Sequence, residues 1–429
     1  MIRLHPIPDA DHTCPYCAIS LKANGWHIPG MRNLADLTCP RCGREFYGDL
    51  AAGQALYSPM LIEKATGVVH DKWRIGWFAD WLRDSYQNRV TSHVGFTVEE
   101  FRPPRHAVLL NCLDRLYGHC LLKLLNAQYY LDHRSDLDLI ILVPRFLRWM
   151  VPKGPAAIWT VDLPLRQGTE WNDWLATEIK RRVESLETCW LSVGFSHPHP
   201  ADYSIERFTG VRPFPVDDWS RHSEQPMVTF VWREDRVWGD SARLHGLAPR
   251  LERRLGWVRS QQKQRVLRLA MAMQHIAPQI RFSVAGLGRP GGLPHWIADM
   301  RSLEVTESTE RAWCELYAQS HVVIGVHGSN MLLPSAHAGA VVELMPPERW
   351  GNMLQDLLLR DTDCREILFR FRIVPISIEP DELAVLVVEL VRNREYMVLV
   401  MGREFCRHES RVDVRSLSSR YASLSLQPL

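Results

Sequence analysis

Residues 320–347 read SHVVIGVHGSNMLLPSAHAGAVVELMPP, and this stretch predicts the fold of the second half of the chain. It predicts a strand over His321–Val326, a loop at His327–Asn330, a short helix, and a second strand over Ala340–Leu344. Continuous β-branched runs bounded by Gly and Pro are typical of strands that are covered on both faces. Ligands of open α/β sheets bind beyond the carboxyl ends of such strands, so the loop is a candidate site.

The loop after the first of these strands has the residues of an anion site. Gly328 lets the backbone approach a ligand, and the N–H groups of Ser329, Asn330 and Met331 at a helix start favour negative charge. His327 can donate a hydrogen bond to a phosphate oxygen or titrate near neutral pH. A tight turn capped by Asn330 is the structural alternative.

This stretch resembles the signature of glycosyltransferase family 61, in which a strand precedes His-Gly-Ala, a small-residue helix, Pro-Gly, a short apolar strand and Glu-x-x-Pro. The matching residues are His327, Gly328, Gly339, Glu343 and Pro346. The chain departs from the pattern at three places. Ser329 and Asn330 stand where the family usually has Ala and Gly, and residues 337–339 (His-Ala-Gly) replace a Pro-Pro-Gly turn.

The resemblance implies an inverting transferase of the GT-B type, with the sugar donor in the cleft between two Rossmann-like halves. It implies a nucleotide-sugar donor, with a UDP-sugar as the first choice, and a glycan acceptor whose hydroxyl is deprotonated by a base. The candidate donor-binding residues, taken from this resemblance together with the loop chemistry and the strand ends, are Arg233, His327, Gly328, Ser329, Asn330 and Glu343. Glu343 is expected to accept hydrogen bonds from ribose or sugar hydroxyls.

His119 is the candidate base, because Tyr117 and His119 match the aromatic residue, spacer and His that follow a strand in family 61. A core or capping histidine is the alternative. Arg233 is the candidate diphosphate ligand, since it ends a predicted strand over Met227–Trp232 and lies nearer to that strand than Arg236 does. A surface salt bridge is the alternative for Arg233.

Two cysteine pairs near the amino terminus, Cys14-Pro-Tyr-Cys17 and Cys39-Pro-Arg-Cys42, are separated by 21 residues. Two such turns can close a tetrahedral four-thiolate zinc site at the spacing of zinc ribbons. Four thiolates leave no position for water, so the zinc is expected to be structural; four unmetallated cysteines are the alternative. No Asp-x-Asp pair ends a strand in the second half, and no catalytic metal is expected.

The predicted fold class is α/β, with two Rossmann-like domains in the GT-B arrangement preceded by a small zinc-ribbon module. The predicted parts are a zinc ribbon (1–50), a helical linker region (51–104), an acceptor-side N-terminal α/β domain (105–222), a donor-side C-terminal α/β domain (223–400) and a tail (401–429). The linker helix is inferred from the helical spacing of Trp73, Trp77, Trp81 and Leu82. A Gly-rich loop at 286–292 is predicted to be flexible or to cradle a phosphate, and a helix is predicted near Met353–Arg360.

Composition narrows the function classes. A net charge of +2 over 429 residues gives no bias towards nucleic acid. The sequence has no long apolar run and no apolar signal core, and paired cysteines suit a reducing compartment, so the protein is predicted to be cytoplasmic. Eukaryotic members of the resembled family carry a membrane anchor or signal, so a bacterial setting in cell-surface polysaccharide biosynthesis is expected. The alternative function is a non-catalytic zinc-ribbon protein that binds a nucleotide or a partner.

Overall fold

The structure is a computed structural model that describes residues 1–217, 219, 224–239, 252–360 and 364–394. The chain divides into two compact units, Met1–Gly210 and the chain from Val211 onwards. This boundary lies before the predicted one at 222/223. The predicted tail, 401–429, lies outside the described residues.

The first unit contains two sheets. Its strands are β1 Ile2–His5, β2 Lys22–His27, β3 Leu34–Thr38, β4 Glu45–Asp49, β5 Leu61–Glu63, β6 Val69–His70, β7 Phe96–Glu100, β8 His106–Asn111, β9 Asp138–Pro144, β10 Ala157–Val161 and β11 Thr188–Leu191. Its helices are α1 Trp77–Gln87, α2 Tyr117–Leu125, α3 Ala127–His133, α4 Asp173–Val183 and α5 Ile205–Thr209. One sheet has the order β1-β11-β8-β9-β10-β7, and the other runs β2-β3-β4-β5-β6.

The larger sheet of the first unit has a parallel centre, β11-β8-β9-β10, with antiparallel β1 and β7 at its edges. The side chains of β8 from Ala107 to Asn111 and those of β10 are all buried, as expected for strands covered on both faces. The helix α2 covers the sheet with its leucine side chains. From β8 the chain continues to β9 and β10 on one side and later returns to β11 on the other. The sheet therefore has a switch point between β8 and β11.

The prediction of a helical linker over 51–104 is wrong. The antiparallel sheet β2-β3-β4-β5-β6, together with the two cysteine turns, is called the cysteine-bearing module below. Strands β5 and β6 extend this sheet to His70, and β7 is an edge strand of the larger sheet. These strands were missed because β5 and β6 have three and two residues, too few to show a period. The helix α1 is present, but Trp73 and Trp77 are about half exposed, and Phe78 and Leu82 supply its buried face.

The second unit is built on one parallel sheet. Its strands are β12 Met227–Trp232, β13 Arg281–Leu287, β14 Ala298–Ser302, β15 Val322–Val326, β16 Ala340–Met345 and β17 Phe371–Pro375. Its helices are α6 Glu252–Ile276, α7 Glu307–Gln319, α8 Leu332–His337, α9 Cys364–Arg370 and α10 Pro380–Arg392. The strand order is β14-β13-β12-β15-β16-β17, and every neighbouring pair is parallel.

This order places a switch point between β12 and β15. The chain proceeds from β12 to β13 and β14 on one side and then resumes at β15 on the other side. The loops after two such adjacent strands leave the sheet in opposite directions and open a crevice, which is the usual ligand site of a doubly wound sheet. The β12 strand has the predicted bounds, and β15 and β16 lie within a residue of theirs.

The prediction of a helix near Met353–Arg360 is wrong. Leu358 donates its N–H to Ser335 Oγ at 2.9 Å, and the Arg360 guanidinium donates to the carbonyl oxygen of Ala338 at 2.8 Å. These tertiary hydrogen bonds compete with the helical ones that the leucine spacing suggests. The strand β14 was missed because its sequence, ADMRS, has no β-branched residue.

Candidate functional site

Two arginine side chains meet over Gly328, at the switch point of the second sheet. Arg233 and Arg236 follow β12, and Gly328 lies in the loop after β15. A Cβ atom on Gly328 would lie 2.6 Å from Nη1 of Arg233 and 2.7 Å from Nη1 of Arg236. The backbone angle φ of 151° at Gly328 also favours glycine. Two guanidinium groups above a bare backbone form an arrangement that accepts an anion such as a phosphate.

Hydrogen bonds hold both guanidinium groups in place. Arg233 donates from Nη1 to Asn330 Oδ1 at 2.5 Å and from Nε to Asp235 Oδ1 at 2.7 Å. Arg236 donates from Nη1 to the carbonyl oxygen of His327 at 3.0 Å. The salt-bridge alternative for Arg233 is therefore present in the structure, through the exposed Asp235. The same arginine also contacts the loop after β15.

Arg236, which the sequence interpretation ranked below Arg233, interacts electrostatically with the carboxylates of Asp235 and Asp356 but forms no salt bridge with them. Within the described ranges, no carboxylate lies within salt-bridge distance of its guanidinium. Burial lowers the pKa of Arg236, and the neighbouring positive charges of Arg233 and Arg349 lower it further. An anion above Gly328 would offset the repulsion between these positive charges.

His327 and Glu343 form a wholly buried pair beneath this loop. The Nδ1 atom of His327 lies 2.5 Å from Glu343 Oε2, and its Nε2 atom lies 3.4 Å from Asp356 Oδ2. His327 Nε2 and Glu343 Oε1 have no hydrogen-bond partner among the described residues. Glu343 was expected to accept hydrogen bonds from ribose or sugar hydroxyls, but His327 already bonds to one of its two carboxylate oxygens. Both of these atoms are buried, and Nε2 faces the Asp356 carboxylate.

The loop conformation changes the expected role of the helix start. Ser329–Met331 forms a single 3₁₀ turn, and α8 begins only at Leu332 and has six residues. The N–H of Met331 donates to the carbonyl oxygen of Gly328 at 2.8 Å and is not free for a ligand. The two arginines, rather than a row of helix N–H groups, are the candidate anion-binding groups beside this loop.

Burial raises the pKa of Glu343 to about 7, although hydrogen bonding to His327 opposes the shift. The folded-state pKa lies above the unfolded value of 4.5. The native state therefore retains a proton that the unfolded state loses. The contribution of this group to stability is fully present below about pH 4.5 and is lost as the pH rises through about 7.

We expect Glu343→Gln to flatten this pH dependence, because a glutamine keeps a hydrogen-bonding group beside His327 but does not titrate. The wild-type free energy of unfolding should fall between about pH 5 and about pH 8 by at most about 3 kcal/mol more than that of the variant. Urea unfolding at the two pH values measures the difference. An identical pH dependence in both proteins would contradict the buried, titrating Glu343.

A second feature of the same sheet edge is a cavity of about 490 Å³ beside the ends of β12, β13 and β14. Its lining residues are Trp232, Glu234, Gly256, Arg259, Ser260, Lys263, Arg289, Pro290, Gly291, Arg301 and Leu303. The indole Nε1 of Trp232 is buried without a hydrogen-bond partner in the part of the chain that the structure describes. The Gly-rich loop borders this cavity, and Gly291 of the loop donates its N–H to Asp299 Oδ2 at 2.7 Å.

Arg301 lines the cavity. Its guanidinium lies 4.7 Å from the ring centroid of Trp232 and donates to both carboxylate oxygens of Asp299 at 2.7–2.8 Å. Gly286 is required here, because a Cβ atom would lie 2.3 Å from the carbonyl oxygen of Trp232 on the neighbouring strand. The start of the Gly-rich loop therefore packs closely against β12, and the loop borders a cavity whose lining includes Arg259, Lys263, Arg289 and Arg301.

In the first unit, His119 lies at the start of α2, after β8. Its Nδ1 atom is 3.3 Å from Asp114 Oδ1, and the other oxygen of Asp114 accepts from Lys123 Nζ at 2.8 Å. Burial opposes the ionisation of Asp114, but Lys123 and His119 together outweigh it and hold the pKa of this carboxyl well below its usual range. Asp114 is therefore a carboxylate that accepts the Nδ1–H of His119. The Nε2 atom is left as the basic nitrogen.

Four cysteines gather at one end of the antiparallel sheet. The ligand atoms of Cys14, Cys17, Cys39 and Cys42 all lie within 4.8 Å of one another. The two turns that present them have the same geometry. The N–H of Ala18 donates to the Cys14 oxygen and that of Gly43 to the Cys39 oxygen, each at 2.9 Å. Both Ala18 and Gly43 have a positive φ.

The cysteine cluster is compatible with a structural zinc ion. A tetrahedral site with Zn–S bonds of about 2.3 Å separates its sulfurs by roughly 3.8 Å, and the Sγ atoms of Cys14 and Cys42 are 3.8 Å apart. Burial opposes thiolate formation at Cys39, but N–H groups from Cys42 and Arg41 lower the pKa of this thiol to about 7. A thiolate is the form that binds metal.

We expect the purified protein to contain about one equivalent of zinc, as one closed four-thiolate site requires. Replacing Cys39 and Cys42 together with serine should remove the metal. Cys314→Ala, at a buried cysteine in α7, is the matched control and should keep it. Elemental analysis of protein purified under reducing, chelator-free conditions decides this, and absence of metal from the wild type would contradict a zinc site.

Several residues of these sites were not found from the sequence. Asp114 lies five residues before His119, and Lys123 lies four residues after it. The i, i+4 spacing of His119 and Lys123 on one helix could have identified Lys123 from the sequence. Asp356 and Arg349 lie beyond β16, and the helix that the sequence predicted around Asp356 is not formed. Their placement beside His327 and Arg236 depends on tertiary structure.

Comparison with known proteins gives limited similarity. No protein-family model matches the chain, and no curated protein sequence matches it. Among solved structures, the chain is similar to ADP-heptose LPS heptosyltransferase II of E. coli, with 11% sequence identity and a TM-score of 0.39, over 68% of this chain and 99% of that chain. A TM-score at this level does not identify a fold. None of the described helices is both long and apolar enough to cross a membrane.

Proposed function

We propose that this protein is an inverting glycosyltransferase that moves a sugar from a nucleotide-diphosphate donor, with a UDP-sugar as the first choice, to a glycan acceptor. The observation that carries the proposal is the meeting of Arg233 and Arg236 over Gly328 at the switch point of a parallel sheet. The resemblance of residues 320–347 to the family 61 signature supports it. The proposed setting is bacterial cell-surface polysaccharide biosynthesis in the cytoplasm.

In this proposal, the donor diphosphate lies above Gly328 and receives hydrogen bonds from both arginines. Ser329 and Asn330 line the same loop, and His327 Nε2 approaches the ligand from beneath the backbone. The nucleoside extends into the neighbouring cavity, where the Trp232 N–H, which has no partner among the described residues, can donate to it. A nucleotide that spans both sites would follow the carboxyl edge of the sheet, as nucleotides do in doubly wound folds.

The proposed reaction needs one base and a stabilised leaving group. The Nε2 atom of His119 takes the proton of the acceptor hydroxyl while the acceptor oxygen attacks the anomeric carbon. The bond from that carbon to the diphosphate oxygen breaks, and its electron pair leaves with the diphosphate. Arg233 and Arg236 stabilise the charge that develops on the leaving group. The zinc ion, when bound, holds the cysteine-bearing module together and takes no part in these steps.

A turnover assay with a panel of nucleotide sugars tests the function as a whole. The purified protein should release a nucleoside diphosphate from one of these donors, faster when a glycan acceptor is present. The non-catalytic alternative predicts binding of a nucleotide without release of product from any donor. Binding without turnover over the full panel would therefore favour that alternative.

A further inference from the structure

A side chain from the cysteine-bearing module contacts His119. The 3₁₀ helix Gly53–Leu56 lies against the start of α2, within the first unit. The Nε2 atom of Gln54 is 3.1 Å from Nδ1 and 3.2 Å from Nε2 of His119. A Cβ atom on Gly53 would lie 3.2 Å from Cε of Lys123, so this segment packs closely on the same side chains that surround His119.

The 3₁₀ helix is tied to the antiparallel sheet that carries the cysteines. Strand β4 ends at Asp49, whose carboxylate is buried and accepts from Arg32 Nη1 at 2.7 Å and from the N–H of Met60 at 3.1 Å. The N–H of Leu50 donates to the carbonyl oxygen of Asn33 at 2.8 Å. These bonds fix the chain that leads to Gln54. The opposite end of the β3–β4 hairpin carries the turn with Cys39 and Cys42.

The charged groups around His119 determine which of its ring nitrogens can accept a hydrogen bond from Gln54. Asp114, in the loop after β8, takes the Nδ1–H, and Lys123 of α2 neutralises the other oxygen of that carboxylate. From the 3₁₀ helix, the contact is the uncharged amide of Gln54. Because Nδ1 is already a donor to Asp114, the amide N–H of Gln54 is left to donate to the lone pair of Nε2.

We propose that Gln54 is a positioning residue, through which the cysteine-bearing module caps and orients the Nε2 atom of His119 until an acceptor hydroxyl takes its place. This inference rests on the proposed function only for the role of His119 as a base. Asp114 and Gln54 together hold the imidazole from two sides, in one tautomer and one orientation. The module thus completes the His119 site with one uncharged side chain.

Gln54→Met tests this directly, since methionine keeps the volume and cannot donate a hydrogen bond. In nitrogen NMR spectra of the intact protein at a pH where His119 is neutral, the Nε2 resonance of His119 should move downfield as its lone pair loses the donor. Gln87→Met, the same change at an exposed glutamine of α1, is the matched control and should leave the resonance in place. Loss of the signal in His119→Ala assigns it.

Gln54→Glu supplies a second test if the methionine variant folds poorly. A carboxylate at this position accepts where the amide donates, so Nε2 of His119 should carry a proton at neutral pH in that variant. Unchanged ring-nitrogen resonances in both variants would overturn the proposal. The measurement needs no sugar donor, so a failed turnover assay with shifted resonances would reject the transferase and leave the contact with His119 standing.

Discussion

His119→Ala is expected to lower turnover by about 10²–10⁴-fold, the usual cost of losing a general base. Donor affinity should change little, because the base acts on the acceptor and not on the nucleotide. The fold should persist, since Asp114 keeps its ion pair with Lys123 at 2.8 Å when the imidazole is removed. Steady-state kinetics with saturating donor, beside calorimetric donor binding, separate the two quantities.

His133→Ala is the matched control for this variant, because His133 is an exposed histidine at the end of α3 in the same unit. It should turn over like the wild type. If His119→Ala kept near-normal turnover in a folded protein, His119 would be a structural residue at the helix start and the base would have to be sought elsewhere.

Arg233→Ala and Arg236→Ala should each weaken nucleoside-diphosphate binding by roughly 1.5–3 kcal/mol, or about 10- to 150-fold, the range for hydrogen bonds to a charged group. The lysine variants should recover only part of the affinity, since a lysine keeps the charge but not the planar fork. Because both groups approach the same backbone position, the double variant should show coupling in a double-mutant cycle.

Arg268→Ala is the control for the arginine series. Arg268 is an exposed residue of α6 that pairs with Asp381, and its removal should leave nucleotide affinity unchanged. Additive effects of Arg233→Ala and Arg236→Ala on nucleotide affinity would show that the two arginines do not bind the same ligand. His327→Ala is a poorer probe than the arginine variants, because it would leave the buried Glu343 without its hydrogen-bond partner and lower stability as well.

The sequence predicted the central strands of both large sheets because their signal is local. The runs over β8, β12, β15 and β16 are apolar, β-branched and bounded by turn residues, so periodicity and punctuation suffice. The antiparallel sheet beyond Asp49 could not be predicted in this way. Its strands β5 and β6 are too short to show a period, and they are defined by pairing with β4 instead.

The candidate sites were predicted as sets of residues but not as geometries. The cysteine cluster follows from spacing alone, since two identical turns bring four thiols together. The burial of His327 and its bond to Glu343 depend on the register of β15 against β16, in which Gly325 pairs with Glu343. The role of Arg236 and the contact of Gln54 with His119 depend on tertiary packing, which no local pattern encodes.

In the proposed function, a nucleoside diphosphate binds where the two arginines meet over Gly328. The most direct measurement is calorimetric titration of a nucleoside diphosphate into the wild type, Gly328→Ala and Gly351→Ala. A methyl group on Gly328 would occupy the space between the guanidinium groups, whereas a methyl group on Gly351 meets no atom within 4 Å. We expect Gly328→Ala to fold but to lose most of the binding, and Gly351→Ala to bind like the wild type. Wild-type affinity in a folded Gly328→Ala protein would contradict a diphosphate site at this position.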